Sequence, residues 1–278
     1  LISNRYISEF TGELAGTFIL VFFGCGAVMV DVLFNAYSGL FQVAMVWGLG
    51  VTLAIYATRH LSCAHLNPAV SVAMVFGKRM SARRLPIYLA GQFLGAFMAA
   101  VILYLLFSQS IAAFEGDQGI IRGSPESVRT AMIFGEFYPN PGSGTPADVS
   151  ALNAMLAEGI GTFALVFMIF SLTEGCNLGR PDASLAPLFI GLTVTVIISV
   201  IAPLTQAGLN PARDFSPRLF SMLAGWGKAA LPDRSYGFFT VYILSPVLGG
   251  MAASSFFTGV VEPLMKKRGF ENQCKCNE

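Results

Sequence analysis

Ala64-His65-Leu66-Asn67-Pro68-Ala69-Val70 in the first half of the chain and Leu209-Asn210-Pro211-Ala212-Arg213-Asp214-Phe215 in the second share the tripeptide Asn-Pro-Ala, and its reading decides the fold. Asn is a favoured helix N-cap, and Pro suits the first helical position, where a missing N–H costs nothing. A single such start signals only a capped helix. The segment that each start opens is apolar but short: Asn67–Phe76 and Asn210–Leu223. About 20 residues are needed to cross a bilayer. Short apolar helices beside full spans predict re-entrant half-helices, which membranes tolerate only where they line a cavity.

Full spans surround them. Phe10–Phe34, Leu40–Thr58, Leu85–Phe107, Leu152–Thr173, Leu185–Leu204 and Phe238–Val260 are each long and apolar enough to cross. The first is too long for the apolar core of a signal peptide and reads as a retained span. The sequence opens at Leu1, and a preceding segment is expected. Hydrophobic residues make up 54% of the chain and charged residues 12%, about half the charge of a soluble domain. The net charge of +1 gives no reason to expect a nucleic-acid partner. The polar stretch Ser108–Ser150 reads as a long extramembrane loop. Arg5, Arg59, Lys78, Arg79, Arg83, Arg84, Arg180, Lys266, Lys267 and Arg268 fall on one side of a six-span arrangement, so the positive-inside rule puts both termini in the cytoplasm.

The halves repeat. Glu13-Leu-Ala-Gly-Thr-Phe-Ile-Leu-Val-Phe matches Glu158-Gly-Ile-Gly-Thr-Phe-Ala-Leu-Val-Phe, and the interval from Glu13 to Asn67 nearly equals that from Glu158 to Asn210. Three spans per half is an odd number, so the second half inserts upside down. The expectation is one transmembrane unit over residues 1–278, with an inverted repeat of 6–107 and 150–262, an extracellular loop 108–149 and a cytoplasmic tail 263–278. Inverted repeats place a functional site near the midplane.

There, the two half-helices would meet N-terminus to N-terminus, each carrying roughly half a positive charge. That opposes cations, hydronium included, while the Asn67 and Asn210 amides donate to a passing oxygen. Ser62–Leu66 and Thr205–Leu209 should be extended, turning carbonyls of Cys63, Ala64, His65, Gln206, Ala207 and Gly208 into the passage. Arg213, on the first turn of the second half-helix, reads as a cationic donor at the outer mouth, because an Arg in an apolar stretch must face water or a partner. Arg218 and Asp214 fit a salt-bridged structural role at least as well as one in selectivity. Glu13 and Glu158 are intramembrane carboxylates. Proton coupling is one reading; the favoured one is that they accept hydrogen bonds from the re-entrant loops. His65 reads as a satisfied buried imidazole, since His60 is the only other histidine and a metal site is not expected. Cys25, Cys63 and Cys176 fall at apolar or pore-near positions, and the tail pair Cys274 and Cys276 reads as solvated thiols. No cofactor is expected. No Ser-His-Asp set or His-Glu-x-x-His appears, so catalysis is not expected either.

The doubled motif and the half repeat closely resemble the aquaporin family, over nearly the whole chain. The resemblance implies an all-α membrane protein: six tilted helices, two half-helices and a homotetramer with one pore per subunit, in the plasma membrane. Trp47-Gly48-Leu49-Gly50-Val51 and Asn-Pro-Ala-Arg-Asp are similar to the glycerol-facilitator branch; water-only members usually lack an acid after the arginine. Carried over by position, the outer constriction is Trp47, Ile198, Ala207 and Arg213. Facilitators typically have Gly and Phe where Ile198 and Ala207, respectively, stand, and water-selective members have a His at the place of Ile198. Trp with a branched aliphatic, Ala and Arg is similar instead to the nodulin-26-like branch, and Tyr242-Ile243 departs from the Pro-Leu common in facilitators. The expected solutes are glycerol and water, with neutral metalloid hydroxides such as arsenous or boric acid as the alternative and a proton-coupled transporter as a further one.

Overall fold

The computed structural model describes residues 4–142, 148–232 and 237–275, with side chains as far as residue 268; Cys274 and Cys276 have no described side chain. Every regular element among the described residues is helical. Six are long and apolar enough to span: α1 (Asn4–Phe34), α2 (Leu40–Thr58), α4 (Leu85–Asp117), α6 (Ala151–Thr173), α7 (Ala186–Thr205) and a last span. That last span is assembled from α9 (Gly237–Phe239), α10 (Ser245–Phe256) and α11 (Glu262–Lys275), joined by single π-helical turns. The half-helices are α3 (Pro68–Phe76) and α8 (Pro211–Ser221).

Local chemistry explains the ends. Asn67 and Asn210 have extended backbones and their side chains accept from Ala69 N–H, and from Ala212 and Arg213 N–H, respectively; both are N-caps with Pro in the next position. α3 stops at Gly77. Ser150 caps α6 by accepting from Asn153 N–H at 3.1 Å. α7 carries Pro203 in its last turn and ends on Gln206 in the left-handed region.

The packing is matched between halves. α1 lies against α4 as α6 lies against α10, and α1 against α2 as α6 against α7. Each half-helix packs on the third span of the opposite half, α8 on α4 and α3 on α10. The halves join at the crossing of α2 and α7, where Gly48 and Gly191 let the backbones touch: a Cβ on either would overlap the other's carbonyl oxygen. Two threonines lie across the seam. Thr195 donates to the Ala44 carbonyl at 3.2 Å and Thr52 to the Pro187 carbonyl at 3.4 Å. Close approach of small residues is how helices gain contact where lipid supplies no hydrophobic drive.

One expected boundary needs correction. The third span does not stop at Phe107: α4 continues to Asp117. Ser108-Gln-Ser ends the apolar run but not the helix, because no Gly or Pro intervenes before Gly116. The stretch 108–150, expected as a loop, is partly folded into the protein. It contains a short helix, α5 (Val128–Ala131), and Thr130–Tyr138 is buried throughout. Met132-Ile133-Phe134 and Phe137-Tyr138 are apolar enough to enter the protein rather than water. Residues 143–147 of this loop lie outside the described part.

Candidate functional site: a passage between the half-helices

The half-helices meet through their caps. Asn67 Nδ2 donates to the Leu209 carbonyl at 2.9 Å, and Asn210 Nδ2 donates to the Leu66 carbonyl at 2.8 Å. Each Oδ1 is taken by its own helix, at 2.8 Å from Ala69 N–H and 3.1 Å from Ala212 N–H. An amide nitrogen has two protons, so each Asn keeps one donor beyond this reciprocal clasp. Both asparagines line a cavity of about 390 Å³.

That cavity brings Trp47, Ile198, Ala207 and Arg213 together with Cys63, Ala64, His65, Leu66, Gly208 and Leu209. Its other end reaches Arg59, Arg79 and Arg180. The spans contribute apolar side chains, such as Leu20 from α1, Val51 from α2, Leu165 from α6 and Val194 from α7. The loops and caps contribute the polar ones. Pro68, Ala69, Pro211 and Ala212 are buried behind them in the first turns of α3 and α8.

The approach loops are not extended as expected. Ala64 and Leu66, and likewise Gln206, Ala207 and Leu209, have positive φ, between 48° and 62°. Such conformations are costly for residues with a Cβ and persist only when surroundings over-determine them. The determinant is a buried carboxylate in each half. Glu13 accepts from His65 N–H at 2.9 Å and Leu66 N–H at 2.7 Å, and from Ser62 Oγ and Gln92 Nε2. Glu158 accepts from Gly208 N–H at 2.9 Å, Leu209 N–H at 2.7 Å and Thr205 Oγ1 at 2.6 Å. The left-handed residues turn consecutive N–H groups toward one acid, much as a backbone nest does for an anion.

Gln206 departs from expectation. It is not among the cavity's lining residues. Its side chain instead anchors the buried loop, accepting from Phe137 N–H at 2.8 Å and donating to the Met132 carbonyl at 3.2 Å. His65 packs on the Tyr88 ring with centroids 4.8 Å apart and shares a hydrogen bond with Ser71.

Arg213 is 4% exposed. Its guanidinium lies 4.3 Å from the Trp47 ring, a cation–π distance, and Trp47 in turn occupies space left by Gly24, where a Cβ would collide with the indole. Arg213 also forms an ion pair with Glu136, while its Nη1 has no hydrogen-bond partner among the described residues. Glu136 belongs to the buried loop and was not anticipated from the sequence. The available signal was an acid inside the aromatic run Phe134-Gly-Glu-Phe-Tyr138. Burial pushes its carboxyl up to about 8, against the pull of Arg213. Asp214 and Arg218 hold structure: Arg218 Nε donates to Asp214 Oδ2 at 3.0 Å and Arg218 Nη1 to the Ala230 carbonyl at 2.5 Å. Cys63 is exposed, Cys25 is buried and Cys176 lies between.

Comparison with known proteins agrees with this architecture. The family model described as major intrinsic protein matches residues 1–257. A glycerol uptake facilitator protein of Pseudomonas aeruginosa is 42% identical over 85% of this chain and 82% of its own length. The propanediol uptake facilitator PduF of Salmonella typhimurium is 39% identical, over 88% and 90%. The X-ray structure of the aquaglyceroporin from Plasmodium falciparum superposes with a TM-score of 0.80 at 27% identity, over 94% of this chain and 99% of that one. Clasped Asn-Pro-Ala caps, matched halves and a family match over nearly the whole length agree: the chain belongs to the major intrinsic protein family.

Proposed function

We propose that this chain is a passive channel for glycerol, water and similarly small neutral solutes, and that Trp47, Ile198, Ala207 and Arg213 form its filter. One observation carries the reading: a single cavity runs past both clasped asparagines, with apolar side chains from the spans and hydrogen-bonding groups from the loops and caps. A polyol has a hydrocarbon edge and a hydroxyl edge, and such a lining matches both. Asn67, Asn210 and Arg213 act as donors to the solute, and carbonyls of Cys63, Ala64, His65, Ala207 and Gly208 as acceptors. The opposed half-helix N-termini disfavour protons and cations. The names of the relatives support glycerol as the first solute.

Glu13 and Glu158 serve architecture rather than proton transport, since the oxygens of each already accept from consecutive loop N–H groups. No catalysis belongs to this reading. Both termini are cytoplasmic in the plasma membrane, as the clustering of Arg59, Arg79 and Arg180 at one mouth supports. The assembly is a homotetramer with a pore in each subunit.

Osmotic swelling of proteoliposomes with water, glycerol, urea and boric acid tests the reading. Glycerol entry far above that of empty liposomes and indifferent to a proton gradient is expected. Entry at the empty-liposome rate, or only with a gradient, sinks it, and boric acid outrunning glycerol favours a metalloid channel. Ala207→Phe is expected to cut glycerol flux more than water flux, because a bulky ring at the constriction excludes the wider solute first. Equal loss of both from a folded protein would remove Ala207 from the filter.

A further inference from the structure

The passage has an electrostatic peculiarity. Its described lining holds Arg59, Arg79, Arg180 and Arg213, and no Asp or Glu. Two helix N-termini add roughly half a positive charge each. Walls of this kind repel cations but attract small anions. At the Arg79 end the compensation is visible behind the lining, where Arg79 pairs with Glu174 and Glu262 at 2.8 and 2.9 Å. At the Arg213 end it comes from Glu136, 1% exposed and outside the lining.

We propose that Glu136 is a selectivity-determining residue, the counter-charge at Arg213 that denies small inorganic anions the filter while leaving Arg213 Nη1 to neutral solutes. The inference rests on the pore reading above. The loop is anchored on both sides of this carboxylate. Glu136 N–H donates to Asp214 Oδ1 at 2.8 Å, its carbonyl accepts from Arg218 Nη2 at 2.5 Å, and the next N–H, of Phe137, donates to Gln206. So the acid is positioned by the same half-helix that carries the arginine. Opposite unit charges in contact cancel most of each other's field at the distance of an ion in the passage, and a low-dielectric surround makes the loss of either one large. Asp214 cannot take over, because both its oxygens already serve Arg218.

Several ionisable groups face Glu136. α8 presents Arg213, Asp214 and Arg218, α6 presents Glu158, the last span presents Tyr242, and Cys25 of α1 lies close enough to interact. Their balance, dominated by burial, places its titration near 8. The barrier to anions is therefore complete on the alkaline side and weakens as the medium acidifies.

Nitrate, an anion at every pH used, is the probe, in potassium-loaded liposomes with valinomycin. Water and glycerol swelling is recorded on the same vesicles. At about pH 9, where the carboxyl is ionised, the unaltered protein should exclude nitrate. Glu136→Gln should pass it at least about tenfold faster. The double variant Glu136→Gln/Arg213→Gln should exclude it again, because the acid acts through the arginine's charge. At about pH 5 the unaltered protein should approach the Glu136→Gln behaviour. The proposal is overturned by a Glu136→Gln protein that passes water yet excludes nitrate like its parent, or by a double variant as leaky as the single one. Should Glu136→Gln not assemble, the unaltered protein decides: equal nitrate exclusion at both pH values overturns the idea. Water flux without glycerol flux would count against the glycerol reading instead, and is read separately.

Discussion

Gly191→Val is expected to abolish the folded channel. A Cβ on Gly191 lands inside the contact distance of Thr52 Oγ1 and of the Gly48 carbonyl oxygen. The second obstacle is backbone, which cannot swing away as a side chain can. α2 and α7 would have to part along the seam that joins the two halves, giving up the Thr52 and Thr195 hydrogen bonds across it. Overpacking a tight core costs about 1–3 kcal/mol when side chains can adjust, so ~3 kcal/mol is a floor here. Trp47 rides on α2 and Ile198 on α7, so the filter would be displaced as well. Thermal melting and monodispersity in detergent, with glycerol flux in liposomes, provide the check. A valine variant that melts within a few degrees of its parent and still conducts would show that the crossing is looser than these contacts require.

Glu158→Gln should be nearly as damaging, for a reason of hydrogen-bond polarity rather than size. The carboxylate offers two acceptor oxygens, one to Gly208 N–H and Thr205 Oγ1 and the other to Leu209 N–H. A glutamine keeps one acceptor and turns the other position into a donor. Whichever way the amide is flipped, a buried backbone N–H then faces an N–H. An unsatisfied buried donor costs roughly 1–3 kcal/mol, and bonds to a charged acceptor are the stronger kind. The loop that loosens carries Ala207 and Asn210, so glycerol flux should fall severalfold together with the melting temperature. Glu158→Ala, which strands three donors, should be worse, by ~3 kcal/mol or more. The outcome against this account is a glutamine variant that is fully stable. Were such a variant also to lose a response to proton gradients, proton coupling through Glu158 would have to be reconsidered.

Glu158 and Glu13 were legible as partners of the loops because each opens a repeated segment at nearly the same distance from its Asn-Pro-Ala. Their further partners were not. Gln92, Ser62 and Thr205 carry no pattern of their own and become meaningful only when α4 and the loops close around the acids. The same holds for Gln206. Its place beside Ala207 suggested a carbonyl in the passage, whereas a left-handed backbone sends its amide to the buried loop.

The order of apolar runs, the two capped half-helices and the pairing of halves come from the sequence alone, because span length, Asn N-caps and Pro at the first helical position are local rules that act before any tertiary contact forms. The end of α4, the burial of Thr130–Tyr138 and the arrival of Glu136 at Arg213 were decided only in the tertiary structure. A loop lacks periodicity, so its conformation is set by whichever distant groups satisfy its backbone, here Asp214, Arg218 and Gln206. Those partners lie in the other half of the chain, and only the folded packing of α8 and α7 brings them to it.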